Sequence, residues 1–87
     1  MSAKGAFSAT ETDSVVIAAD GYRASISIQL TGAGPVYLGF NEPAVVGDGI
    51  CLHDGAPFVE ISDARARGTV HMKCAPGVTA VGGYQTL

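Results

Sequence analysis

The sequence contains no tryptophan, only two cysteines and few charged residues, which make up 15% of its 87 positions. Soluble domains usually have about a quarter of their residues charged. Hydrophobic residues account for 47%, which excludes an intrinsically disordered chain. The length is that of one small domain. With so few charges, much of its surface is uncharged, and this indicates burial against another protein.

Basic residues are scarce and the apolar runs are short. Lys and Arg number five, the net charge is −3, and no basic cluster is present. We therefore expect no nucleic-acid partner. No apolar run approaches the roughly 18 residues of a membrane-spanning helix, so we expect no membrane partner. The first residues also lack a hydrophobic stretch of signal-peptide length, which favours synthesis and assembly in the cytoplasm.

The clearest local pattern is the alternation over residues 23–30. The apolar side is Ala24, Ile26, Ile28 and Leu30, and the opposite side is Arg23, Ser25, Ser27 and Gln29. This period of two predicts a strand with one face on a core and the other face on solvent or a partner. Residues 69–74 alternate in the same way.

Short apolar segments separated by Gly, Pro, Asn and Asp turns continue along the rest of the chain. Turn signals about every 8–12 residues predict six to eight short antiparallel strands. The predicted fold is all-β, either a single small β-sandwich of jelly-roll type or a barrel.

Residues 1–14 are small and polar apart from Phe7, and they predict a flexible N-terminal arm before a β-sandwich domain at residues 15–87. Burying one Phe side chain stabilises by about 2–3 kcal/mol, which is less than the cost of ordering a dozen residues. The arm would therefore also need backbone pairing. Our hypothesis is that it adds a strand to a sheet edge of a neighbouring subunit, with Phe7 as the anchor.

All cysteines and histidines fall in two short groups, which are Cys51 with His53 and His71 with Cys74. A Cys₂His₂ zinc site would need all four side chains to converge. The odd spacing of His71 and Cys74 places them on opposite faces of a flat strand, so we expect no metal. A Cys51–Cys74 disulfide remains an alternative, but a reducing cytoplasm favours free thiols.

The remaining candidates for catalysis or cofactor binding lie in predicted turns. Asp48 and Asp54 flank a short strand between glycine turns, where carboxylates usually serve as turn formers. No G-x-S-x-G motif is present, and Gly47-x-Gly49 lacks the third glycine of a dinucleotide fingerprint. We therefore expect no enzymatic activity, no catalytic residues and no cofactor.

Five residues are candidates for a protein interface. Tyr37 and Phe40 lie in one predicted strand, as core and rim residues or as a platform on which a sugar could stack. Arg65 and Arg67 lie in a short turn, where they are either solvated or interface anchors. Phe7 in the predicted arm completes the set.

The stretch TGAGPVYLGFNEPAVVGDGICLHDGAPFVEI, followed by ARGTVHMKCAPGVTAVGGYQ, resembles small structural proteins of tailed bacteriophages. The resemblance spans about residues 23–85 and rests on turn and core positions. It implies a capsid decoration (cement) protein or a head-fibre base with a jelly-roll or sandwich fold, and it provides no catalytic residues to transfer.

The same resemblance implies the partners and the location. The chain would bind the major capsid protein, form a homo-oligomer with a trimer as the first guess, and lie on the capsid surface of the virion. Such a protein bridges neighbouring capsid subunits and so raises the stability of the shell by mass action. The alternative is a small carbohydrate- or receptor-binding β-module of a phage fibre, which would show an exposed aromatic platform.

Overall fold

The computed structural model describes residues 3–87 as eight strands and one short 3-10 helix. The strands are β1 (Ala3–Ala9), β2 (Ser14–Ile17), β3 (Ile26–Leu30), β4 (Val36–Phe40), β5 (Ile50–Leu52), β6 (Phe58–Ile61), β7 (Val70–Cys74) and β8 (Ala80–Thr86). The 3-10 helix spans Ala64–Arg67, between β6 and β7. Within residues 3–87, no helix is long and apolar enough to cross a membrane.

The strands form two four-stranded antiparallel sheets. Sheet A has the order β1-β8-β3-β6, and sheet B has the order β2-β7-β4-β5. Early and late strands of the chain thus lie side by side in both sheets, which is the connectivity of a jelly roll. The predicted all-β sandwich of jelly-roll type is confirmed.

The core lies between the inner faces of the two sheets. In β3 the side chains of Ile26, Ile28 and Leu30 are buried, whereas Gln29 is exposed, as the alternation predicts. Sheet B contributes residues of the same kind, namely Val36, Leu38, Leu52, Val70, Met72 and Cys74. Side chains that alternate along each strand therefore fill one apolar layer.

Arg23 departs from the predicted alternation, because β3 begins at Ile26 and Arg23 lies in the connection from β2. Its backbone N–H donates to the Asp20 carbonyl at 3.2 Å, so the chain turns here. The side chain is only 6% exposed, and its guanidinium donates to the carbonyl oxygens of Ala66, Ala18 and Gly68. Arg23 is therefore a buried clamp between two connections, and its side chain does not face solvent.

The structure also differs from the predicted arm over residues 3–9, which form β1. This strand pairs with β8 from Ala3 opposite Thr86 to Ala9 opposite Ala80. Phe7 is 5% exposed and belongs to the core. The backbone pairing that the arm was expected to need is thus made to the same chain. Residues 1 and 2 lie outside the described residues, and mobility of the stretch 1–14 stays a prediction.

Candidate interaction surface

The contact between β1 and β8 is built from reciprocal pairs of glycine and an aromatic residue. Phe7 lies directly opposite Gly82, and Gly5 lies opposite Tyr84. A Cβ atom at Gly82 would overlap the Phe7 ring, and one at Gly5 would overlap the Tyr84 ring. Each ring therefore fills the space that a side chain on the neighbouring strand would otherwise occupy. Glycine within a strand commonly marks such a close approach.

These contacts were missed from the sequence, although a signal for them exists. The adjacent glycines Gly82 and Gly83 within the last strand indicate that something lies close to the strand at that point. Sequence alone did not show what that was, because Phe7 is 75 positions before Gly82. The pairing register brings the two together.

Each sheet ends in strands that pair on one side only within residues 3–87. These are β1 and β6 in sheet A, and β2 and β5 in sheet B. The longest is β1 with seven residues, whereas β5 has three. An end strand presents backbone N–H and C=O groups that another chain can pair with. Large apolar side chains on two of these strands are exposed, with Phe58 on β6 at 55% and Val15 on β2 at 53%.

Three of the predicted interface residues lie together at one end of the sandwich. Phe40, Arg65 and Arg67 line one shallow depression. The Arg65 guanidinium lies 5.6 Å from the centre of the Phe40 ring, within the range of a cation–π contact. Arg65 also forms an exposed ion pair with Asp63 at 2.8 Å. The hydrogen bond from Arg65 lowers the pKa of the Asp63 carboxyl.

The other two predicted interface residues lie apart from this depression. Tyr37 is half-buried on the outer face of β4, opposite Cys51 of β5. Phe7 is in the core between the sheets. The five residues therefore do not form one continuous patch in the isolated chain, and their role at an interface stays a prediction.

The four cysteine and histidine side chains do not converge. Cys51 and His53 lie on or just after β5, whereas His71 and Cys74 lie on β7, and β4 separates these two strands. The register places Tyr37 opposite Cys51 and Val36 opposite Cys74, so the two thiols lie on opposite faces of sheet B. Both cysteines are free. Burial raises the pKa of the Cys74 thiol.

His71 takes part in a small polar network on the outer face of sheet B. Its Nδ1 lies 3.2 Å from Oδ2 of Asp13, and its Nε2 lies 3.1 Å from Oγ1 of Thr69. The other carboxylate oxygen of Asp13 accepts a hydrogen bond from the Ala44 N–H at 2.8 Å. The network fastens the start of β2 to β7 and to the loop after β4.

Chemically, the surface offers sheet edges, apolar side chains and isolated polar pairs. Among residues 3–87, no group of three or more His, Cys, Asp or Glu side chains is placed to hold a metal ion. The depression on the outer face of sheet A is lined by both polar and apolar groups, among them Lys4, Ser27, Gln29, Phe58 and Gln85. Such a surface suits contact with another protein through backbone and side chains together.

The fold and this surface define a class of protein, a small jelly-roll sandwich with open sheet edges. No family model matches the chain, and no curated protein matches it. Among solved structures, the chain is similar to a protein of Bacillus endospore appendages, which form a family of disulfide-linked pili. The TM-score is 0.60 with 21% identity, over 99% of this chain and 82% of the other. At this identity the similarity shows the shared fold.

The resemblance to tailed-phage virion proteins is wrong, because the similarity that spans the whole chain is to an appendage protein. The function predicted with it, capsid decoration or a module of a phage fibre, is overturned by the same finding, and so is the predicted location on the virion. Nothing supports the major capsid protein as a partner. The quoted stretches consist of turn glycines and alternating apolar positions, and these are determined by the sandwich fold rather than by a virion role.

Proposed function

We propose that this protein is a non-enzymatic structural subunit that assembles with further copies of itself into a pilus-like bacterial appendage. The observation that carries the proposal is the shared fold with a pilus protein over 99% of the chain. Burial of uncharged surface against another protein was also expected from the low charge, and a pilus-forming protein of the same fold is consistent with self-association.

The sheet edges support assembly into a fibre. When one edge of a copy meets a different edge of the next copy, the contact is heterologous and repeats without closing. Four end strands in two sheets provide more than one such edge. Main-chain hydrogen bonds along an edge add affinity, and the exposed Phe58 and Val15 supply apolar contacts beside them.

The pili of the structural neighbour are described as disulfide-linked, and this chain has one thiol suited to a link between copies. Cys51 is half-buried on the end strand β5, whereas Cys74 is 0% exposed. In the proposed link, Cys51 of two copies forms one S–S bond. The two thiols lose two protons and two electrons to an oxidant such as glutathione disulfide, which is reduced to two glutathione molecules.

The test is direct observation of the purified full chain by negative-stain electron microscopy and analytical sedimentation. The expected result is fibres, or oligomers that grow with concentration. After incubation with glutathione disulfide, a denaturing non-reducing gel should show linked chains. The Cys51→Ser variant should lose these linked chains, whereas the matched control Cys74→Ala should retain them.

A monodisperse monomer at all accessible concentrations would overturn the proposed assembly. Fibres whose chains remain unlinked after oxidation would retain the assembly but overturn the Cys51 link. The two parts of the proposal are therefore tested separately.

A further inference from the structure

We propose that copies of this protein are joined by exchange of β1, so that β1 of one copy pairs with β8 of the next. The inference rests on the proposed function, because it states how the copies are connected. The partner is a second copy of this chain, and the acceptor surface is the inner side of β8 with its hollow at Gly82.

The first argument is that β1 contributes little to the rest of the core. Among residues 4–9 of this strand, the buried side chains are Phe7 and Ala9. Without β1, sheet A would keep β8, β3 and β6 in their present register, and sheet B would be unchanged. The large aliphatic residues of the core belong to other strands. β1 can therefore be displaced without dismantling the sandwich.

The second argument is that β8 offers a specific receptor for this strand. The Phe7 ring occupies the space above Gly82, and the carbonyl of Gln29 closes that space from the β3 side. A displaced β1 would leave this hollow open. Because the hollow accepts an aromatic ring at one position of the register, a strand from another copy would dock in the same alignment.

The third argument concerns the connection between β1 and β2, residues 10–13. Its far end is fixed, because Asp13 binds both the Ala44 N–H and His71. Its near end is held by a backbone hydrogen bond from the Cys74 N–H to the Thr10 carbonyl at 2.8 Å, and the Glu11 carboxylate accepts another from the Gly77 N–H at 2.8 Å, so release of β1 breaks both. A hinge between these two points would release β1 and leave β2 in place. Short connections of this kind are where strand exchange begins.

The fourth argument is that a released β1 is long enough to cross a neighbouring copy. Seven extended residues span about 23 Å at roughly 3.3 Å per residue. The short dimensions of the molecule are 22 and 18 Å. A β1 strand that swings out can therefore lie along the full width of an adjacent copy. Donation from each copy to the next gives an open fibre, whereas reciprocal donation gives a closed dimer.

Exchange also replaces the contacts that β1 makes with β8. The same seven backbone positions pair, and the same ring fills the same hollow, whichever copy provides β1. The remaining differences are the conformation of residues 10–13 and the entropy of association. Domain exchange is a low-cost route to association for this reason.

The experiment uses paired cysteines in the full chain, with Cys51→Ser as the background to remove the exposed native thiol. Ala6 and Gly83 are directly opposed on the outer faces of β1 and β8, and a side chain at Gly83 fits, since the nearest contact of its Cβ would be 3.4 Å. The test variant carries Ala6→Cys and Gly83→Cys. The matched control carries Ser27→Cys and Glu60→Cys, which oppose each other on β3 and β6.

Assembled protein is oxidised and run on a denaturing non-reducing gel. Exchange predicts that the test variant loses its monomer band to a ladder of linked chains, whereas the control keeps its monomer band. In addition, a co-refolded mixture of the two single variants, Ala6→Cys and Gly83→Cys, should give a linked dimer that neither single variant gives alone.

Fibres in which the test variant remains monomeric on the gel would overturn exchange and leave the proposed function standing. A ladder from the control as well would also overturn it, because linkage would not then depend on the β1–β8 register. Failure to form any assembly would overturn both proposals.

Discussion

Sheet A and sheet B hold their first strands in different ways. In sheet A, β1 is held by seven backbone pairs and by aromatic rings placed over glycines, with Phe7 over Gly82 and Tyr84 over Gly5. In sheet B, β2 has four residues and an irregular register against β7, in which Ile17 packs opposite Val70. Hydrogen bonds to the Asp13 carboxylate, from the Ala44 N–H and with His71, fasten its start.

This difference shows that the two strands depend on different properties of the sequence. β1 depends on shape, because a hollow without a side chain must stay open for each ring. β2 depends on the burial of its apolar side chains and on the hydrogen bonds at Asp13 that hold its start. Even a methyl group added on the inner face of β8 should therefore weaken the attachment of β1. Few core residues contribute to this attachment.

The largest expected effect comes from closing the hollow in β8. Gly82→Ala places a methyl group against the Gln29 carbonyl and the Phe7 ring, so β1, β8 and β3 cannot keep their spacing. We expect the free energy of unfolding to fall by about 3 kcal/mol or more, as in severe overpacking. Urea denaturation measures the change.

The neighbouring glycine provides the control for this prediction. Gly83→Ala adds its methyl group on the outer face, where the nearest atom would be 3.4 Å away. Its cost should stay within about 1 kcal/mol. Equal losses from the two variants would show that β8 needs glycine for its backbone and not for the Phe7 ring.

The second prediction concerns the Arg23 clamp between two connections. Arg23 lies between β2 and β3, and its partners Ala66 and Gly68 lie between β6 and β7. Arg23→Met retains much of the apolar stem but leaves three carbonyls without their donor. We expect a loss of about 2–4 kcal/mol in the free energy of unfolding. Arg67→Met, on an exposed side chain, should change it by less than about 0.5 kcal/mol.

The third prediction compares the mobility of the sheets. Amides of β1 should exchange with solvent by local opening, about tenfold or more faster than those of β7, which lies inside sheet B. Hydrogen exchange followed by NMR on dilute protein measures both strands in one sample. Protection of β1 equal to that of β7 would show that β1 opens only with global unfolding, and the contrast between the sheets would be lost.

The smallest expected effect on stability is that of Cys51→Ser, because this thiol lies at the outer face and edge of sheet B. The change should be within about 0.5 kcal/mol. In the native protein a thiol reagent should label Cys51 first, and Cys74 should react only upon unfolding, since burial raises its pKa. Simultaneous labelling of both would contradict the structure.

Cys74 also makes the free energy of unfolding depend on pH, and the direction of its pKa shift determines the sign. Its pKa is raised in the folded state above the ordinary value of 9.0, so the unfolded chain loses this proton first. Stability is therefore unaffected by Cys74 below that value and falls as pH rises through it. Cys74→Ala should remove this component of the decline, which urea denaturation between neutral and alkaline pH can measure.

Parts of the fold were predictable because they depend on local pattern. The alternation of Ile26, Ile28 and Leu30 determines which face of β3 is buried, and it does so without reference to the rest of the chain. Turn residues at regular intervals predicted the number of strands. The 3-10 turn at Ala64–Arg67 also depends on neighbouring residues, because Asp63 directly before it accepts a hydrogen bond from the Arg65 N–H at 2.9 Å.

The candidate surface was less predictable, because its residues meet only through long-range pairing. Phe7 looked like the single apolar residue of a polar tail, since its partner Gly82 is far away in the sequence. Arg23 fitted the solvent side of an alternating strand, although the chain turns there and buries it. The stretches that suggested a phage protein reflect turns and core positions that the sandwich itself requires.

The sequence by itself determined that this chain is all-β, built of short alternating strands with few charged residues. Only the tertiary structure decided that residues 3–9 complete sheet A, that Phe7 rests on Gly82 and that Arg23 joins two connections. The physical reason is that alternation and turns are properties of neighbouring residues. Which strand lies beside which depends instead on the packing of the whole sandwich, where a missing side chain on one strand makes room for a ring from another.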